Sequence, residues 1–262
     1  MKLVRFNLEG TTQRVWVLQH DLSSREGPIS KTRPVHVLTF VYATHAQKLL
    51  ATGSHERASQ LSTALEAKLS AVQHLATAVN EAFAKIPNPD ADGRDIASFN
   101  EASVFIAEVE AYLGALYSSL ELTNGVVKAI HPKVKQGFRK MAKSGYGAFR
   151  FDRWPWLASF YDVRTELCHF GSPLPWIDGG ALVLDITQSH ETHRFKRGSK
   201  VAVPIAELVQ YREGLLAMLD AWALDQLRSL DQNLSLYQLV FDSNGQRKGE
   251  HPTLREFMEA HL

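Results

Sequence analysis

Residues 161–176 read YDVRTELCHFGSPLPW, and this stretch combines the end of an aromatic-rich helical pattern with an arginine and a histidine. Arg164 and His169 are five positions apart, and Gly171 and Pro173 follow directly. Glycine and proline end helices, so the pattern predicts a helix over residues 155–170. The pattern therefore puts both residues at one helix end. Arginine is a strong phosphate-binding side chain, and histidine can carry protons near neutral pH.

The spacing alone decides little, because two other Arg/His pairs in the chain are spaced similarly. Arg14 and His20 flank an alternating strand pattern, where a surface role explains both residues. Another pair belongs to a terminal segment, where fraying argues against preorganised chemistry; it consists of Arg255 and His261.

The immediate neighbours of the pair at 164 and 169 favour a chemical role. Five residues on an ideal helix correspond to about 140° of rotation, so the two side chains converge only where the helix end relaxes. Glu166 lies three residues before His169 and is expected to orient its ring or hold it protonated. Thr165 lies four residues before His169 and is expected to add a hydroxyl.

A basic segment, residues 126–153, lies just before this helix. It contains eight lysines or arginines and one acid, Asp152. Positive side chains of this kind bind a phosphate backbone, and interleaved aromatic rings (Phe138, Tyr146 and Phe149) can stack on bases. Within the segment we expect RNA to be bound by Lys133, Lys135, Arg139, Lys140, Lys143, Arg150 and Arg153. A solvated basic face is the alternative interpretation.

The whole-chain composition sets limits on the function. The 262 residues are 45% hydrophobic and 22% charged, with a formal net charge of +1, so bulk charge gives no argument for nucleic acid or membrane. The single cysteine excludes an intramolecular disulfide and a cysteine-based metal cluster. No long apolar run is present, and a cytoplasmic protein without a membrane partner is expected.

Cofactor and metal signatures are missing from the sequence. It contains no GxGxxG or P-loop pattern for a nucleotide cofactor, no HExxH, and no GxSxG elbow. The HETH run at residues 190–193 lies in a predicted hairpin loop and supports at most weak metal binding. We therefore expect neither a cofactor nor a metal.

The hydrophobic periodicity predicts a mainly α chain: an up-and-down helical bundle core with an inserted β-hairpin and small β elements near both ends. Helices are expected over about 54–85, from about 100, over 155–170 and over 204–230. Asn124-Gly125 ends or kinks the second of these, and residues 35–42 fit either a strand or a helix. The predicted divisions are a β-containing extension (1–53), the helical core (54–230, with the hairpin at about 181–203) and a strand–turn–helix appendage (231–262).

The R-x4-H arrangement of Arg164 and His169, with a polar residue after the arginine, resembles the signature of the HEPN superfamily. The resemblance covers about residues 100–230 and rests on a short motif and the order of the helices. It implies a helical bundle and a metal-independent endoribonuclease of the kind found in toxin–antitoxin and antiviral systems. It also implies a homodimer with a shared cleft, RNA as substrate, and an antitoxin or regulatory protein as a possible partner.

Thr165 departs from the pattern of this superfamily, because active members usually carry Asn, Asp or His at that position. Two alternatives to the nuclease therefore stay open. One is a noncatalytic module that binds RNA or protein. The other is a structural protein in which Arg164 pairs with Asp162 or Glu166 and His169 caps its helix.

Overall fold

A computed structural model describes residues 2–7, 14–19, 33–51, 53–86, 99–170, 176–178, 180–190, 192–241 and 247–262. Over these residues the chain is mainly helical, with small antiparallel sheets, as the periodicity predicts. The elements in chain order are β1 (Lys2–Asn7), β2 (Arg14–Gln19), α1 (Pro34–Leu49), α2 (His55–Ala84), α3 (Phe99–Ile130), α4 (Phe138–Lys143), α5 (Pro155–Thr165), a π turn (Glu166–Phe170), β3 (Trp176–Asp178), β4 (Ala181–Asp185), β5 (Lys200–Pro204), α6 (Ile205–Ser229), β6 (Gln238–Phe241), β7 (Arg247–Glu250) and α7 (Leu254–His261).

Residues 35–42, which fit either a strand or a helix by sequence, belong to α1. Pro34 occupies the first turn, where its fixed φ favours a helix and its missing N–H costs nothing. Most of the helix is buried, with only a few polar positions left outside. This all-round burial explains why the sequence lacks a clear helical period.

The long helices α2 and α3 follow the predicted spans. Asn124-Gly125 does not end α3, which continues to Ile130, and a kink at this point stays a prediction. A Cβ at Gly125 would lie 3.0 Å from a methyl carbon of Leu61, so the glycine allows α2 and α3 to approach closely. The hydrophobic periodicity of the helix that begins near residue 100 also predicts that Val104 is buried; this prediction is wrong, because Val104 is 56% exposed.

The predicted hairpin at 181–203 is present as β4 and β5, which pair antiparallel from Ala181 with Pro204 to Asp185 with Lys200. A third strand that the sequence did not reveal, β3, pairs antiparallel with β4 and completes a sheet of order β3-β4-β5. Pro204 ends β5, and α6 begins at Ile205, one residue later than predicted.

Both predicted terminal β elements are also present. β1 pairs antiparallel with β2, and β6 pairs antiparallel with β7; the residues that connect each pair lie outside the described ranges. Helix α7 begins with a capping box, in which Thr253 and Glu256 satisfy each other's backbone N–H groups.

The chain divides into two compact units, Met1–Ala67 with Glu121–Phe138 and Leu219–Leu262, and Lys68–Leu120 with Arg139–Met218. The divisions predicted at residues 53 and 230 stay predictions. In the first unit α1 is held by side chains from distant parts of the sequence. Arg33 donates to Asp220 (2.8 Å), and the ring of Phe40 stacks on that of Phe257.

His45 links α1 to the C-terminal region of the first unit. Its Nε2 accepts a hydrogen bond from the backbone N–H of Tyr237 at 2.8 Å. Burial, with a smaller contribution from the charge of Lys48, lowers the pKa of His45 to about 4. The imidazole is therefore neutral at pH 7, as its acceptor role requires.

In the second unit, α5 packs against α6 through aromatic side chains. The rings of Phe160 and Tyr211 meet edge to face at 6.0 Å. Trp156 lies directly over Gly214, because a Cβ at that glycine would be 2.7 Å from the indole ring. α6 can therefore approach α5 this closely only with glycine at position 214. No helix among the described residues is long and apolar enough to cross a membrane.

The close approach of Trp156 to α6 predicts opposite effects for two glycine substitutions inside helices. Gly214→Ala should destabilise the fold by about 1–3 kcal/mol, since the rigid indole has to move, despite a gain of about 1 kcal/mol in helix propensity. Gly114→Ala on α3 meets nothing within 4 Å and should stabilise by about 0.5–1 kcal/mol. Urea unfolding of both variants measures the difference, and equal shifts in the same direction would contradict the packing.

Candidate functional site

Arg164 lies near the end of α5 with its guanidinium over an aromatic ring. The guanidinium carbon is 3.8 Å from the centroid of the Tyr117 ring on α3. A cation over the face of an aromatic ring is held electrostatically without losing its charge. The residue as a whole is half-buried, so Arg164 combines a fixed position with partial access to solvent.

The same aromatic cluster carries a second arginine. Tyr117 meets the buried Tyr161 edge to face, with the centroids 6.4 Å apart. The guanidinium of Arg139 lies over the Tyr161 ring at 5.1 Å. Two tyrosine rings thus connect Arg164 to Arg139, which comes from the predicted basic segment. We call these four residues the Arg–Tyr cluster.

The helix of the motif does not stay regular to residue 170. α5 ends at Thr165, and Glu166–Phe170 form a π turn. A π turn closes i→i+5 hydrogen bonds, which brings positions five apart closer to one side than an α-helix does. The helix thus departs from regular α geometry between positions 164 and 169, where convergence of the two side chains was expected to require it. The side chain of His169 lies outside the described part of the structure, and its approach to Arg164 stays a prediction.

Glu166 is fully buried and is bonded to the hairpin loop, residues 186–199. Its carboxylate accepts from the backbone N–H groups of Thr187 (3.1 Å) and Gln188 (3.0 Å) and from the hydroxyl of Thr187 (3.0 Å). His190 Nε2 lies 2.5 Å from the same carboxylate. The hydrogen bonds of Glu166 thus go to the loop, and an orienting role towards His169 stays a prediction.

Thr165 also uses its polar group within its own helix. Its hydroxyl donates to the backbone carbonyl of Tyr161 at 2.6 Å, four residues earlier. Such back-bonding satisfies the hydroxyl locally. The hydroxyl of Thr165 is therefore bonded within its own helix, and a contribution of this hydroxyl to a site with His169 stays a prediction.

His190 completes a buried cluster with two carboxylates, and sequence reasoning missed it. The imidazole side chain is 4% exposed; its Nδ1 lies 3.7 Å from Asp162, and Asp162 accepts from the backbone N–H of Thr192. The sequence drew attention to His190 only as part of the HETH run. Its partners on α5 and in the π turn are distant in sequence, and no local pattern points to them.

The environment of Glu166 keeps it ionised. Burial acts to raise the pKa of its carboxyl, but the hydrogen bonds from His190, Gln188 and Thr187 outweigh burial and leave the pKa below its ordinary value. A buried carboxylate that is hydrogen-bonded on both oxygens avoids the large cost of an unpaired charge. The loop and the π turn are therefore joined by a charged interaction that persists at neutral pH.

The predicted RNA-binding residues fall into groups with different surroundings. Lys133 and Lys135 are exposed and belong to the first unit, whereas the other five belong to the second. Arg139 reaches the Arg–Tyr cluster, and Lys140 and Lys143 are exposed on α4. The two remaining residues have close side-chain neighbours: Arg150 pairs with Asp152, and Arg153 lies over the ring of Trp154.

The aromatic residues of the basic segment require a correction. Phe138 and Phe149 are fully buried and belong to the core, so they cannot stack on bases. Tyr146 alone of the three keeps partial exposure. The glycines beside it form an ordered turn: Gly145 and Gly147 have positive φ, and Tyr146 bridges to Phe149.

Cys168 lies in the π turn with its side chain exposed. Partial burial of the sulfur atom raises the pKa of the thiol, and the negative charge of Glu110 adds to this effect. The positive charge of Arg164 lowers the pKa by less, so the pKa of Cys168 lies above its ordinary value. A thiol in this state is a poor nucleophile at neutral pH. Among the described residues, no group of His, Cys, Asp or Glu side chains is arranged to hold a metal ion.

Comparison of the chain with protein-family models, with curated proteins and with solved structures finds no match.

The buried carboxylate predicts a pH-dependent stability difference. Glu166→Gln should destabilise the fold by about 1–3 kcal/mol at pH 7, since an amide faces donors that had a carboxylate as acceptor. The folded pKa is lowered, so this stabilisation is present above the ordinary pKa of 4.5 and is lost as pH falls through the folded value. Urea unfolding should show that the difference in unfolding free energy between the wild type and Glu166→Gln is smaller below pH 4.5 than at pH 7. The exposed Glu121→Gln is the matched control and should change stability by less than about 0.5 kcal/mol; a Glu166→Gln effect that does not vary with pH would contradict the assignment.

The Arg–Tyr cluster predicts a measurable coupling between Arg164 and Tyr117. In a double-mutant cycle, Arg164→Met and Tyr117→Leu should show a coupling free energy of about 0.5–2 kcal/mol. Tyr117→Phe keeps the ring and should retain most of the coupling with Arg164. Effects that add within about 0.3 kcal/mol would show that the contact contributes nothing.

Proposed function

We propose that the chain is a metal-independent endoribonuclease in which Arg164 binds the scissile phosphate and His169 carries a proton. The observation that supports this most strongly is the Arg–Tyr cluster. It holds the motif arginine at the end of its helix with partial solvent access and joins it to Arg139 of the basic segment. The nuclease assignment itself comes from the resemblance of the R-x4-H motif to the HEPN superfamily.

RNA supplies its own nucleophile, so the proposed reaction needs no metal. The 2′-oxygen forms a bond to phosphorus and loses its proton, while the bond from phosphorus to the 5′-oxygen breaks and that oxygen gains a proton. The products are a 2′,3′-cyclic phosphate and a 5′-hydroxyl. The protein has to move these protons and stabilise the negative charge that builds up on the nonbridging oxygens.

Arg164 suits the charge-stabilising role because a planar guanidinium can donate two parallel hydrogen bonds to phosphate oxygens. Its contact with Tyr117 holds the guanidinium over the ring before substrate binds, which reduces the entropy lost on binding. In this proposal the tyrosine is a positioning residue. It touches the arginine, not the RNA.

His169 suits proton transfer because its ordinary pKa lies near neutral pH. The backbone of residue 169 belongs to the π turn, and the wider turn supports the proposal that Arg164 and His169 approach the same phosphate. Glu166 is the first residue of that turn, and its carboxylate joins the turn to the hairpin loop. In this proposal the carboxylate of Glu166 positions His169 indirectly, by fixing the backbone of the π turn.

The motif of one chain supplies one histidine, His169, whereas the reaction takes one proton from the 2′-oxygen and gives one to the 5′-oxygen. A homodimer in which two motif helices face each other across a two-fold axis would supply a pair of each residue in one cleft. Exposed lysines of α4, Lys140 and Lys143, would extend the positive surface for RNA. A protein with this activity would suit toxin–antitoxin or antiviral defence in the cytoplasm, with an antitoxin or regulatory partner to restrain it.

A noncatalytic RNA-binding module is the second candidate, and one contact favours it. The hydroxyl of Thr165 is bonded to the Tyr161 carbonyl, at the position where active HEPN members usually carry Asn, Asp or His. Under this alternative the Arg–Tyr cluster still binds phosphate, but no strand is cut. Salt-sensitive RNA binding by a chain that leaves the RNA intact would select it.

The nuclease proposal predicts that His169→Ala abolishes RNA cleavage, because no group remains to move the proton. Arg164→Lys should lower the rate by about 10²-fold, since a lysine keeps the charge but loses the planar fork. Cleavage is measured on single-stranded and structured RNA by gel electrophoresis, with the termini identified as cyclic phosphate and 5′-hydroxyl.

His74→Ala is the matched control, because His74 is exposed on α2 and should leave the rate unchanged. Circular dichroism and sedimentation check that the fold and assembly of each variant are intact. Excess EDTA should not alter the rate. Full cleavage by His169→Ala, or strict dependence on Mg²⁺, would refute the mechanism.

A further inference from the structure

The first unit contains a cleft with a different composition from the Arg–Tyr cluster. It has a volume of about 320 Å³ and lies between the start of α2 and the segment that follows α3. Three cations line it: Arg57 from α2, Lys128 from the last turn of α3, and Lys135 from the basic segment. We call it the cationic cleft.

No acidic side chain among the described residues that line the cationic cleft balances its positive charges. Among the described residues, none forms an ion pair with Arg57, Lys128 or Lys135. Three like charges around one concave surface repel one another, and an anion in the cleft would relieve this repulsion.

The start of α2 at the wall of the cleft also suits an anion. Gly53 and Ser54, the residues directly before α2, form part of its wall. Gly53 has a φ of 90° and nothing within 4 Å of the position of a Cβ, so the backbone here lies open to the cleft. The start of a 30-residue helix adds partial positive charge to that of the side chains.

We propose that the cationic cleft binds the terminal phosphate of a nucleotide or of an RNA strand. A phosphodiester in a backbone carries one negative charge, whereas a phosphate monoester carries about −1.5 to −2 at pH 7. Three cations in one cleft therefore match a terminal phosphate better than an internal one. The volume is within the range of small-ligand sites, about 300–1,000 Å³, and leaves room for more than the phosphate.

This site changes the interpretation of the basic segment. By sequence, the residues from Lys133 to Arg153 are expected to bind RNA as one segment, with a solvated basic face as the alternative. Instead, Lys135 joins Arg57, a residue outside the segment, whereas Lys133 is exposed beside it and does not line the cleft. Two neighbouring lysines therefore have different roles in this proposal.

The experiment measures binding of inorganic phosphate, AMP and a short 5′-phosphorylated oligoribonucleotide to the full chain by calorimetry at low ionic strength. All three probes should bind, and Arg57→Ala, Lys128→Met and Lys135→Ala should each weaken binding about tenfold. Methionine at position 128 keeps the apolar length of a half-buried side chain, so loss of folding is not expected. Lys85→Ala is the matched control, because Lys85 is exposed just after the end of α2 and does not line the cleft, and it should change each Kd by less than about twofold.

The two sources of the phosphate are separated by comparing the probes. Tighter binding of AMP supports a free nucleotide, and tighter binding of the phosphorylated RNA supports a strand end. The same oligoribonucleotide with a 5′-hydroxyl should bind at least about tenfold more weakly. Equal affinity for the two RNAs, no binding of any probe, or an effect of Lys85→Ala as large as that of the cleft variants would each overturn the proposal.

The cleft uses neither Arg164 nor His169, so its test does not depend on the nuclease. All titrations are repeated with His169→Ala, in which RNA is not consumed. Phosphate binding without cleavage would leave the cleft proposal standing while the nuclease proposal fails. Cleavage by a chain that binds no terminal phosphate would give the reverse result.

Discussion

The carboxylate of Glu166 is the interaction on which the local architecture around the motif depends. A buried charge is tolerated only where every oxygen is hydrogen-bonded, and here the partners come from the hairpin loop and not from the helix itself. The hairpin loop must therefore lie against the end of α5, and the backbone at residue 166 must direct the carboxylate towards that loop. The π turn does this while Leu167 stays buried and Cys168 stays outside.

A second principle organises the positive charges. Arg164 and Arg139 lie over tyrosine rings, and such contacts leave a guanidinium charged and able to donate. Arg150 is paired with Asp152. The distribution of charge in this chain is therefore decided by local partners and not by the number of basic residues. A chain with a net charge of only +1 can therefore still concentrate positive side chains locally, which both proposals require.

Much of the fold could be predicted because its signals are local. Helices α2 and α3 show a helical period over many turns, and the hairpin of β4 and β5 shows alternation between turn residues. β3 was missed because three residues are too few to show a pattern. α1 was ambiguous because it is buried on most sides. The contacts that build the candidate site were not predictable from one sequence, since Glu166 and His190 are 24 residues apart, and Arg164 and Tyr117 are further apart still.

The position of Cys168 has a practical consequence. It is the single thiol of the chain, it is exposed, and it lies one residue from His169 within the π turn. A fluorophore or spin label attached to this sulfur would report on the turn alone, with no background from other sites and no engineered cysteine. Because the thiol is reluctant to ionise, labelling would proceed best in mildly alkaline buffer, and the chain carries its own probe for movements of the turn.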